Sequence, residues 1–371
     1  MMQNEPKYLL IKNNIQEKII NNDYTLGSKI PSEAELRQQF DVSRHTIRLA
    51  IAKLVNEGYL VKQQGSGTFV SDYYKKSLKP STKKTIGVIT TYLSDYIFPS
   101  IIRGIEEELS AHDYSLMLSS TRNNVDNERG SLESMIEQNV DGLIVEPTKS
   151  NLMNPNLNYY LELSEKSTPL IMLNASYEEL DLPFVALDDI SAGRMATNHL
   201  IELGHTNIGI ITKSDDLQGK NRLKGYLKSL YESKLTFSND FILRYDTEMK
   251  ENLPELIHCM LANENPPTAF VCYNDEIAIM LIKEIQNIGK DCPRDFSVVS
   301  HDDSFYATML PSVKLTTIKH PKEELGRQAA KAIVNFVEKG IPLETIVFEP
   351  KLIKRTSTRS LNKVNMTNKV K

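Results

Sequence analysis

The chain has 371 residues, of which 40% are hydrophobic and 25% are charged, a composition typical of a globular protein with two or three domains. No segment approaches the ~18 consecutive apolar residues of a membrane span, and the N-terminus lacks the apolar core of a secretory signal. The cysteines, Cys259, Cys272 and Cys292, form no metal-ligand spacing, which favours a reducing compartment. We therefore expect a cytoplasmic protein with no membrane partner and no cofactor.

The net charge of −4 conceals an uneven distribution along the chain. Residues 1–84 contain 14 Lys and Arg against 8 Asp and Glu, a net charge of +6. Residues 85–371 contain 30 against 40, a net charge of −10. A small basic segment joined to a larger acidic one indicates that only the basic segment meets a polyanion such as nucleic acid.

The basic segment begins with three helical patterns. Isoleucines repeat at four-residue steps across residues 7–21, as in an amphipathic helix. Two shorter helices are predicted within residues 32–54, where Ser32 and Glu35 form a capping box for the first and Ser43 can cap the second. This order is typical of a helix-turn-helix, whose second helix lies in the major groove of DNA.

A hairpin pattern completes the segment, because residues 59–63 and 68–70 read as strands around a Gly-Ser-Gly turn. Three helices and a hairpin make a winged helix-turn-helix. Arg44, His45 and Arg48 share a face near the start of the second short helix, where side chains would meet base edges, and arginine can bond guanine with two hydrogen bonds. Taken alone, these residues leave open the alternative of a merely solvated face.

The stretch KIPSEAELRQQFDVSRHTIRLAIAKLVNEGYLVKQQGSGTFV, residues 29–70, resembles the GntR-family DNA-binding domain over its full length. Many members carry Arg where this chain has Ala34, so a contact from that position is missing, and Glu33 beside it can accept from a cytosine amine instead. The DNA contacts implied by the resemblance are Lys7, Glu33, Ser43, Arg44, His45, Thr46, Arg48, Gln64, Gly65 and Ser66.

A basic tether leads into the acidic remainder, whose pattern predicts an α/β structure. Residues 71–84 are polar, basic and aperiodic, typical of a semi-flexible tether. From Thr85 onward, apolar runs such as TIGVIT, DGLIVE and FSVVSHDD alternate with amphipathic stretches, which predicts parallel sheets covered by helices. The region is long for one such sheet, so we expect two α/β lobes.

Polar side chains follow most of the predicted strands. Ligands of open α/β sheets bind beyond the carboxyl ends of the strands, so these residues are candidates for a binding site. Carboxylates, amides and a guanidinium near aromatic faces suit a polyhydroxyl ligand, because each hydroxyl both donates and accepts. The alternative that any one Asn or Asp only caps a helix stays open. The candidates are Tyr92, Ser94, Asp95, Tyr96, Arg122, Glu146, Asn174, Arg222, Asn274, Asp275, Asp302 and Asp303.

From Thr85 to about Ser357 the chain also resembles the effector domain of LacI/GalR repressors, a two-lobed periplasmic-binding-protein fold. Segments such as LDDISAGRMATNHLIELGHTNIGIIT and LTTIKHPKEELGRQAAKAI carry this resemblance. Glu146 and His320 differ from the Asn and Gln of the β-galactoside repressor, and His301 replaces a usual Tyr or Phe, which implies a different sugar. The implied effector contacts are Tyr96, Phe98, Arg122, Glu146, Asn174, Gln218, Arg222, Asn274, Asp302 and His320.

A GntR-type head on a LacI/GalR-type body resembles the arabinose-repressor family of Gram-positive bacteria. The resemblance implies a winged helix-turn-helix at residues 1–70, a linker at 71–84 and an effector-binding and dimerisation domain at 85–360. It implies a homodimeric repressor of arabinose-utilisation genes that binds operator double-stranded DNA and is released by L-arabinose. One alternative is a repressor of another sugar's operon. The other is a soluble sugar-binding protein, but the basic segment argues against it.

The sequence lacks the motifs of the enzymes that such a fold could support. It contains no G-x-S-x-G elbow, no H-E-x-x-H helix and no P-loop, and no G-x-G-x-x-G follows the first strand of the body. His301, Asp302 and Asp303 are adjacent in a predicted strand, so their side chains alternate between faces and cannot all hold one metal ion. We therefore predict no catalytic residue and no metal site.

Overall fold

The computed structural model describes residues 6–21, 23–63, 66–71 and 83–362. The chain divides into two compact units, residues 1–83 and 84–371, which we call the head and the body. Most of the predicted linker, and the predicted DNA contacts Gln64 and Gly65, lie outside the described residues.

The head has the predicted winged helix-turn-helix architecture. The Ser32 hydroxyl accepts from the Glu35 backbone N–H at 3.3 Å and the Glu35 carboxylate accepts from the Ser32 N–H at 2.7 Å, which confirms the capping box. The apolar faces of the helices meet in one buried cluster that includes Ile15 and Ile51. The elements are α1 (Lys7–Ile20), α2 (Glu33–Phe40), α3 (Arg44–Asn56), β1 (Leu60–Gln63) and β2 (Gly67–Val70).

The body alternates strands and helices, as the sequence predicted. Its elements in chain order are β3 (Thr85–Thr90), α4 (Phe98–Ala111), β4 (Ser115–Ser120), α5 (Val125–Glu137), β5 (Gly142–Val145), α6 (Leu157–Glu165), β6 (Leu170–Leu173), β7 (Phe184–Leu187), α7 (Asp189–Glu202), β8 (Ile208–Lys213), α8 (Leu217–Glu232), β9 (Ile242–Tyr245), α9 (Leu253–Leu261), β10 (Ala269–Cys272), α10 (Asp275–Asn287), β11 (Ser297–Asp302), β12 (Thr316–Lys319), α11 (Lys322–Lys339), β13 (Ile346–Phe348) and β14 (Lys351–Ile353). Short 3-10 helices occupy Asn239–Phe241, Glu248–Asn252 and Phe305–Thr308.

These strands form two six-stranded sheets, which confirms the prediction of two α/β lobes. The amino-terminal lobe has the strand order β13-β7-β6-β5-β3-β4, with parallel pairs throughout. The carboxy-terminal lobe has the order β14-β12-β11-β10-β8-β9, in which β14 is antiparallel to β12 and the other pairs are parallel. Helices cover the sheets, and each lobe has its own apolar clusters.

The chain crosses between the lobes three times. It crosses after β7, between β12 and α11, and between β13 and β14. All three crossings involve strands at the same edge of the two sheets, so this edge is where the lobes can hinge. The sequence did not reveal that the last strands return to different lobes.

Two glycines bring α7 and α8 into close contact within the carboxy-terminal lobe. A Cβ atom built on Gly193 would lie 2.2 Å from the carbonyl oxygen of Arg222, and one on Gly225 would lie 2.2 Å from that of Ile190. A side chain at either position would push the helices apart, so the glycines fix the position of Arg222 beside the start of α7. In the described parts of the chain, no helix is long and apolar enough to cross a membrane.

Candidate DNA-binding and effector-binding sites

The first turn of α3 carries most of the predicted DNA contacts. Arg44, His45 and Arg48 are exposed. The Ser43 hydroxyl caps the helix by accepting from the Thr46 N–H at 3.2 Å, and it lies 2.8 Å from the Thr46 hydroxyl. The sequence therefore placed the cap correctly.

Glu33 bridges the two arginines of this face. Its carboxylate accepts from Arg48 Nε at 3.0 Å and from Arg44 Nε at 3.2 Å. Partial burial raises the pKa of Glu33, but the hydrogen bonds from the two arginines outweigh burial and hold the pKa below its usual value. Glu33 thus holds the guanidinium groups side by side in the protein without DNA, a role that the sequence did not indicate.

The remaining predicted DNA contacts lie on other elements. Lys7 is exposed at the first residue of α1, and Ser66 is exposed directly before β2.

A cavity of about 410 Å³ lies between the two lobes of the body, at the carboxyl ends of their strands. Its walls combine polar strand-end residues with the aromatic rings of Phe98, Phe305 and Tyr306. The predicted effector contacts that line it are Tyr96, Phe98, Glu146, Asn174, Gln218, Arg222, Asn274, Asp302 and His320.

The structure corrects the prediction for Arg122. This residue is exposed and does not line the cavity, whereas the next residue, Asn123, is buried and does. Both have a positive φ, 49° and 55°, in the turn that follows β4. The turn directs Asn123 inward, which a strand-end pattern of two adjacent polar residues cannot reveal.

Backbone strain accumulates around the cavity. Three further lining residues that follow strands or end them, Tyr96, Asn174 and Asp302, have φ values of 59°, 63° and 98°. Such conformations are unfavourable for residues other than glycine and cluster at functional sites. Several of the strained backbone positions in the body therefore coincide with the lining of the cavity.

Arg222 is the buried cation of the site. Its Nε donates to Asp189 at 2.7 Å, its Nη1 donates to the carbonyl oxygen of Tyr273 at 2.5 Å, and its Nη2 lies 3.4 Å from Asp302. Burial lowers the pKa of Arg222, but the two carboxylates outweigh burial and raise it, so the guanidinium stays charged. The planar group also lies over the Tyr273 ring, 5.1 Å from its centroid.

Asp302 receives hydrogen bonds from both lobes. Tyr96 of the amino-terminal lobe donates its hydroxyl proton to Asp302 at 2.7 Å. Burial raises the pKa of Asp302, but the nearby Arg222, His320 and the Tyr96 hydroxyl outweigh burial, so the pKa is lowered and the group is a carboxylate. A carboxylate at this place can accept hydrogen bonds from hydroxyl groups.

Glu146, Asn174 and His320 form a second polar group in the cavity. Glu146 accepts from the Thr91 hydroxyl at 2.6 Å and from the Asn174 amide at 2.7 Å. Burial nevertheless raises the pKa of Glu146. His320 Nε2 lies 3.2 Å from the Asn174 oxygen, which assigns the ring proton to Nε2.

The other ring nitrogen of His320, Nδ1, has no hydrogen-bond partner among the described residues although it is buried. Burial lowers the pKa of His320 to about 4, so the ring is neutral at pH 7. His320 therefore contributes a neutral ring to the wall of the cavity.

Sequence reasoning missed several lining residues. Some lie one position from a predicted contact, some lie on loops with no pattern, and Lys213 and Tyr245 are the last residues of β8 and β9. Lys213 is held by Asp215 at 3.1 Å and Asp216 at 3.2 Å; burial lowers its pKa, but the two carboxylates outweigh burial and raise it. Tyr273, directly before Asn274, donates its hydroxyl to Asp216 at 2.5 Å. The missed residues include Thr91, Asn123, Lys213, Asp216, Tyr245, Thr247, Lys250, Tyr273, Glu276, Phe305 and Tyr306.

The residues considered above as metal ligands diverge in space. His301 Nδ1 lies 2.9 Å from the carbonyl oxygen of Cys272, Asp302 lines the cavity, and Asp303 pairs with Arg355 at 2.6 Å. In the described residues, no group of three or more His, Cys, Asp or Glu side chains could hold a metal ion.

A winged helix-turn-helix and a two-lobed body with a polar interlobe cavity define the class of ligand-controlled transcriptional regulators. Residues 7–70 match the gntR family of bacterial regulatory proteins, and residues 197–358 match the periplasmic binding protein-like domain. Among solved structures, the chain is similar to a LacI family transcriptional regulator from Enterococcus faecium with bound ribose. That structure has a TM-score of 0.65 and 25% identity, and the match covers 75% of this chain and 100% of that one.

Two curated relatives match nearly the whole chain, and both are named arabinose metabolism transcriptional repressor. The protein from Halalkalibacterium halodurans is 45% identical over 95% of this chain and 97% of its own length. The protein from Geobacillus stearothermophilus is 45% identical over 96% of this chain and 98% of its own length. The chain belongs to this AraR-type family of arabinose metabolism transcriptional repressors. It is a transcriptional repressor and not an enzyme.

Proposed function

We propose that the protein acts in the cytoplasm as a homodimer that binds operator DNA, represses arabinose-utilisation genes and is released by L-arabinose bound in the interlobe cavity. The observation that carries the proposal is the convergence of Arg222, Asp302, Glu146, Asn174 and His320 on one cavity. These groups offer charged acceptors, a charged donor and a neutral imidazole ring, which together match the alternating hydroxyls of a sugar.

The size and walls of the cavity favour a small sugar as the effector. Its volume of about 410 Å³ lies at the lower end of the roughly 300–1,000 Å³ typical of ligand sites. Aromatic rings such as Phe98 can cover the C–H face of the ring. The relatives named for arabinose metabolism and the neighbour solved with ribose both support a pentose. A repressor of another sugar's operon remains the alternative.

A dimer is expected from the size of the head. One small DNA-binding module buries too little surface for tight specific binding, so two heads on inverted half-sites are needed. Arg44, His45 and Arg48 would read base edges, while Lys7, Ser43, Thr46, Gln64, Gly65 and Ser66 would position the head on the DNA.

Calorimetry against a panel of pentoses and hexoses tests the effector, and the Asp302→Asn variant tests its site. We expect L-arabinose to bind the native protein, and Asp302→Asn to weaken binding at least tenfold, because a hydrogen bond to a charged group contributes roughly 1.5–3 kcal/mol. The matched control is Asp303→Asn, since Asp303 is adjacent, pairs with Arg355 and does not line the cavity. If the two folded variants bind L-arabinose with equal affinity, Asp302 does not contact the sugar.

The Arg48→Ala variant tests the DNA-binding face. We expect it to weaken operator binding by about 1–3 kcal/mol and to relax the preference for one base position, as for other base-reading arginines. The measurement is fluorescence anisotropy with operator and random DNA at one fixed salt concentration. Lys53→Ala, at the exposed end of the same helix, is the control and should change little. If Arg48→Ala binds both DNAs as the native protein does, α3 is not the recognition helix.

A further inference from the structure

The two lobes touch at the edge of the sheets that lies farthest from the crossings. The crossings involve β7 and β13 of the amino-terminal lobe and β12 and β14 of the carboxy-terminal lobe. The strands β4 and β9 form the opposite edges of the two sheets. A contact beside β4 and β9 therefore has the longest lever about the hinge, so a small opening rotation breaks it.

Several direct contacts join the lobes at this far edge, of which the following four are the shortest. Asn123 donates its amide to the Thr247 hydroxyl at 2.6 Å, and Asn151 donates its amide to the Ser214 carbonyl at 2.9 Å. The Leu217 N–H donates to the Ser150 hydroxyl at 2.8 Å, and Lys149 Nζ lies 2.5 Å from Glu248 Oε1. We call these contacts the far-edge latch. Its residues are Asn123, Lys149, Ser150, Asn151, Ser214, Leu217, Thr247 and Glu248.

Part of the far-edge latch lies outside the cavity. Lys149, Ser150, Asn151 and Glu248 do not line it. These residues cannot contact a ligand held there, so they can change its affinity only through the equilibrium between open and closed lobes. The Lys149 backbone has a φ of 45°, which is unfavourable for a lysine and is retained where surrounding contacts hold the loop in place.

We propose that the far-edge latch holds the lobes closed and thereby sets the effector affinity of the body. The proposal rests on the sugar-binding role proposed above and names residues that regulate it from outside the site. The measured dissociation constant equals the intrinsic one divided by the closed fraction, so a weaker latch lowers the measured affinity without changing any sugar contact.

Charge reversal across the latch tests this proposal in the full chain. Lys149→Glu places two carboxylates together, and we expect calorimetry to show a loss of L-arabinose affinity of about threefold to tenfold. Glu248→Lys should produce a similar loss. The Lys149→Glu/Glu248→Lys double variant restores an attractive pair and should recover most of the native affinity. The loss should also shrink at high salt, because Glu248 is largely exposed.

The matched control is the Arg194–Glu232 pair, which joins α7 to α8 within one lobe at 2.6 Å. Reversing Arg194 to Glu should leave sugar affinity unchanged, because this pair does not span the cleft. If reversal at Lys149 changes affinity no more than reversal at Arg194, or if the double variant fails to recover, the latch proposal is overturned.

A distance measurement separates failure of the latch from failure of the proposed function. Spin labels at Glu162 in α6 and Lys224 in α8 report the interlobe distance, with the exposed Cys259 changed to Ser. We expect Lys149→Glu to lengthen the interlobe distance in the sugar-free protein and the double variant to restore it. If no sugar binds but the distance responds in this way, the effector assignment fails and the latch stands. An unchanged distance rejects the latch whatever the sugar result.

Discussion

Replacing Arg222 by alanine is expected to lower the free energy of unfolding of the body by about 3–5 kcal/mol, because removing one partner of a buried ion pair leaves a charge uncompensated. In this protein the uncompensated charges would be the carboxylates of Asp189 and Asp302, both buried and both within 3.4 Å of the guanidinium. Urea unfolding of the full chain, followed by circular dichroism, measures the loss.

The loss of stability in the Arg222→Ala variant should also depend on pH. Burial raises the pKa of Asp189 to about 6 even with Arg222 beside it, and without Arg222 the pKa values of Asp189 and Asp302 should both rise. A carboxyl group whose pKa is raised by folding destabilises the protein once it is deprotonated, so the contribution is unfavourable above the folded pKa. The stability deficit of Arg222→Ala relative to the native protein should therefore be larger at pH 8 than at pH 5.

Arg194→Ala is the control for this experiment. Arg194 also pairs with a carboxylate, Glu232 at 2.6 Å, but both side chains are substantially exposed. Exposed pairs contribute at most about 1 kcal/mol, so this variant should unfold close to the native protein at both pH values. If Arg222→Ala is no less stable than Arg194→Ala, the positive charge of Arg222 is not needed to stabilise the buried carboxylates around it.

The features predicted correctly from the sequence are those that short segments determine. The capping box of Ser32 and Glu35 and the cap at Ser43 depend on neighbours three residues away, so the pattern alone places α2 and α3. The cavity residues were found because all parallel strands of a sheet direct their carboxyl ends to one edge. A polar residue at a strand end is therefore placed near the site before any tertiary contact is known.

The features that the sequence did not reveal depend on contacts between distant segments. Asp188 and Asp189 are adjacent at the start of α7, yet Asp188 caps the helix and Asp189 pairs with Arg222, 33 residues later. The choice between Arg122 and Asn123 follows from two positive φ angles, which no residue pattern encodes. Glu33 pairs with Arg44 and Arg48 because α2 and α3 pack together, a geometry beyond local propensity.

Saturating L-arabinose is expected to release the protein from its operator. The sugar must bind one conformation of the body better than the other, since equal binding to both would shift nothing. Moving operator occupancy from about 99:1 to 1:99 requires a preference of ~10⁴-fold, or about 5.5 kcal/mol. Tyr96, His320 and the far-edge latch make contacts between or beside the lobes, and a sugar that favours the closed conformation would stabilise these contacts.

Linkage makes this expectation reciprocal. If the sugar weakens operator binding by a given factor, operator DNA must weaken sugar binding by the same factor. The head has its own buried cluster, and the residues that line the interlobe cavity belong to the body, so an isolated head should bind DNA weakly and should not respond to sugar.

A titration of operator DNA with the full-length protein, at fixed salt, with and without saturating L-arabinose, tests whether the sugar releases the repressor. The same titration on residues 1–75 isolates the head. We predict that the sugar greatly weakens operator binding by the full-length protein and leaves the weak binding of the head unchanged. An operator affinity that stays the same while calorimetry shows L-arabinose bound to the body would mean that the sugar does not control DNA binding.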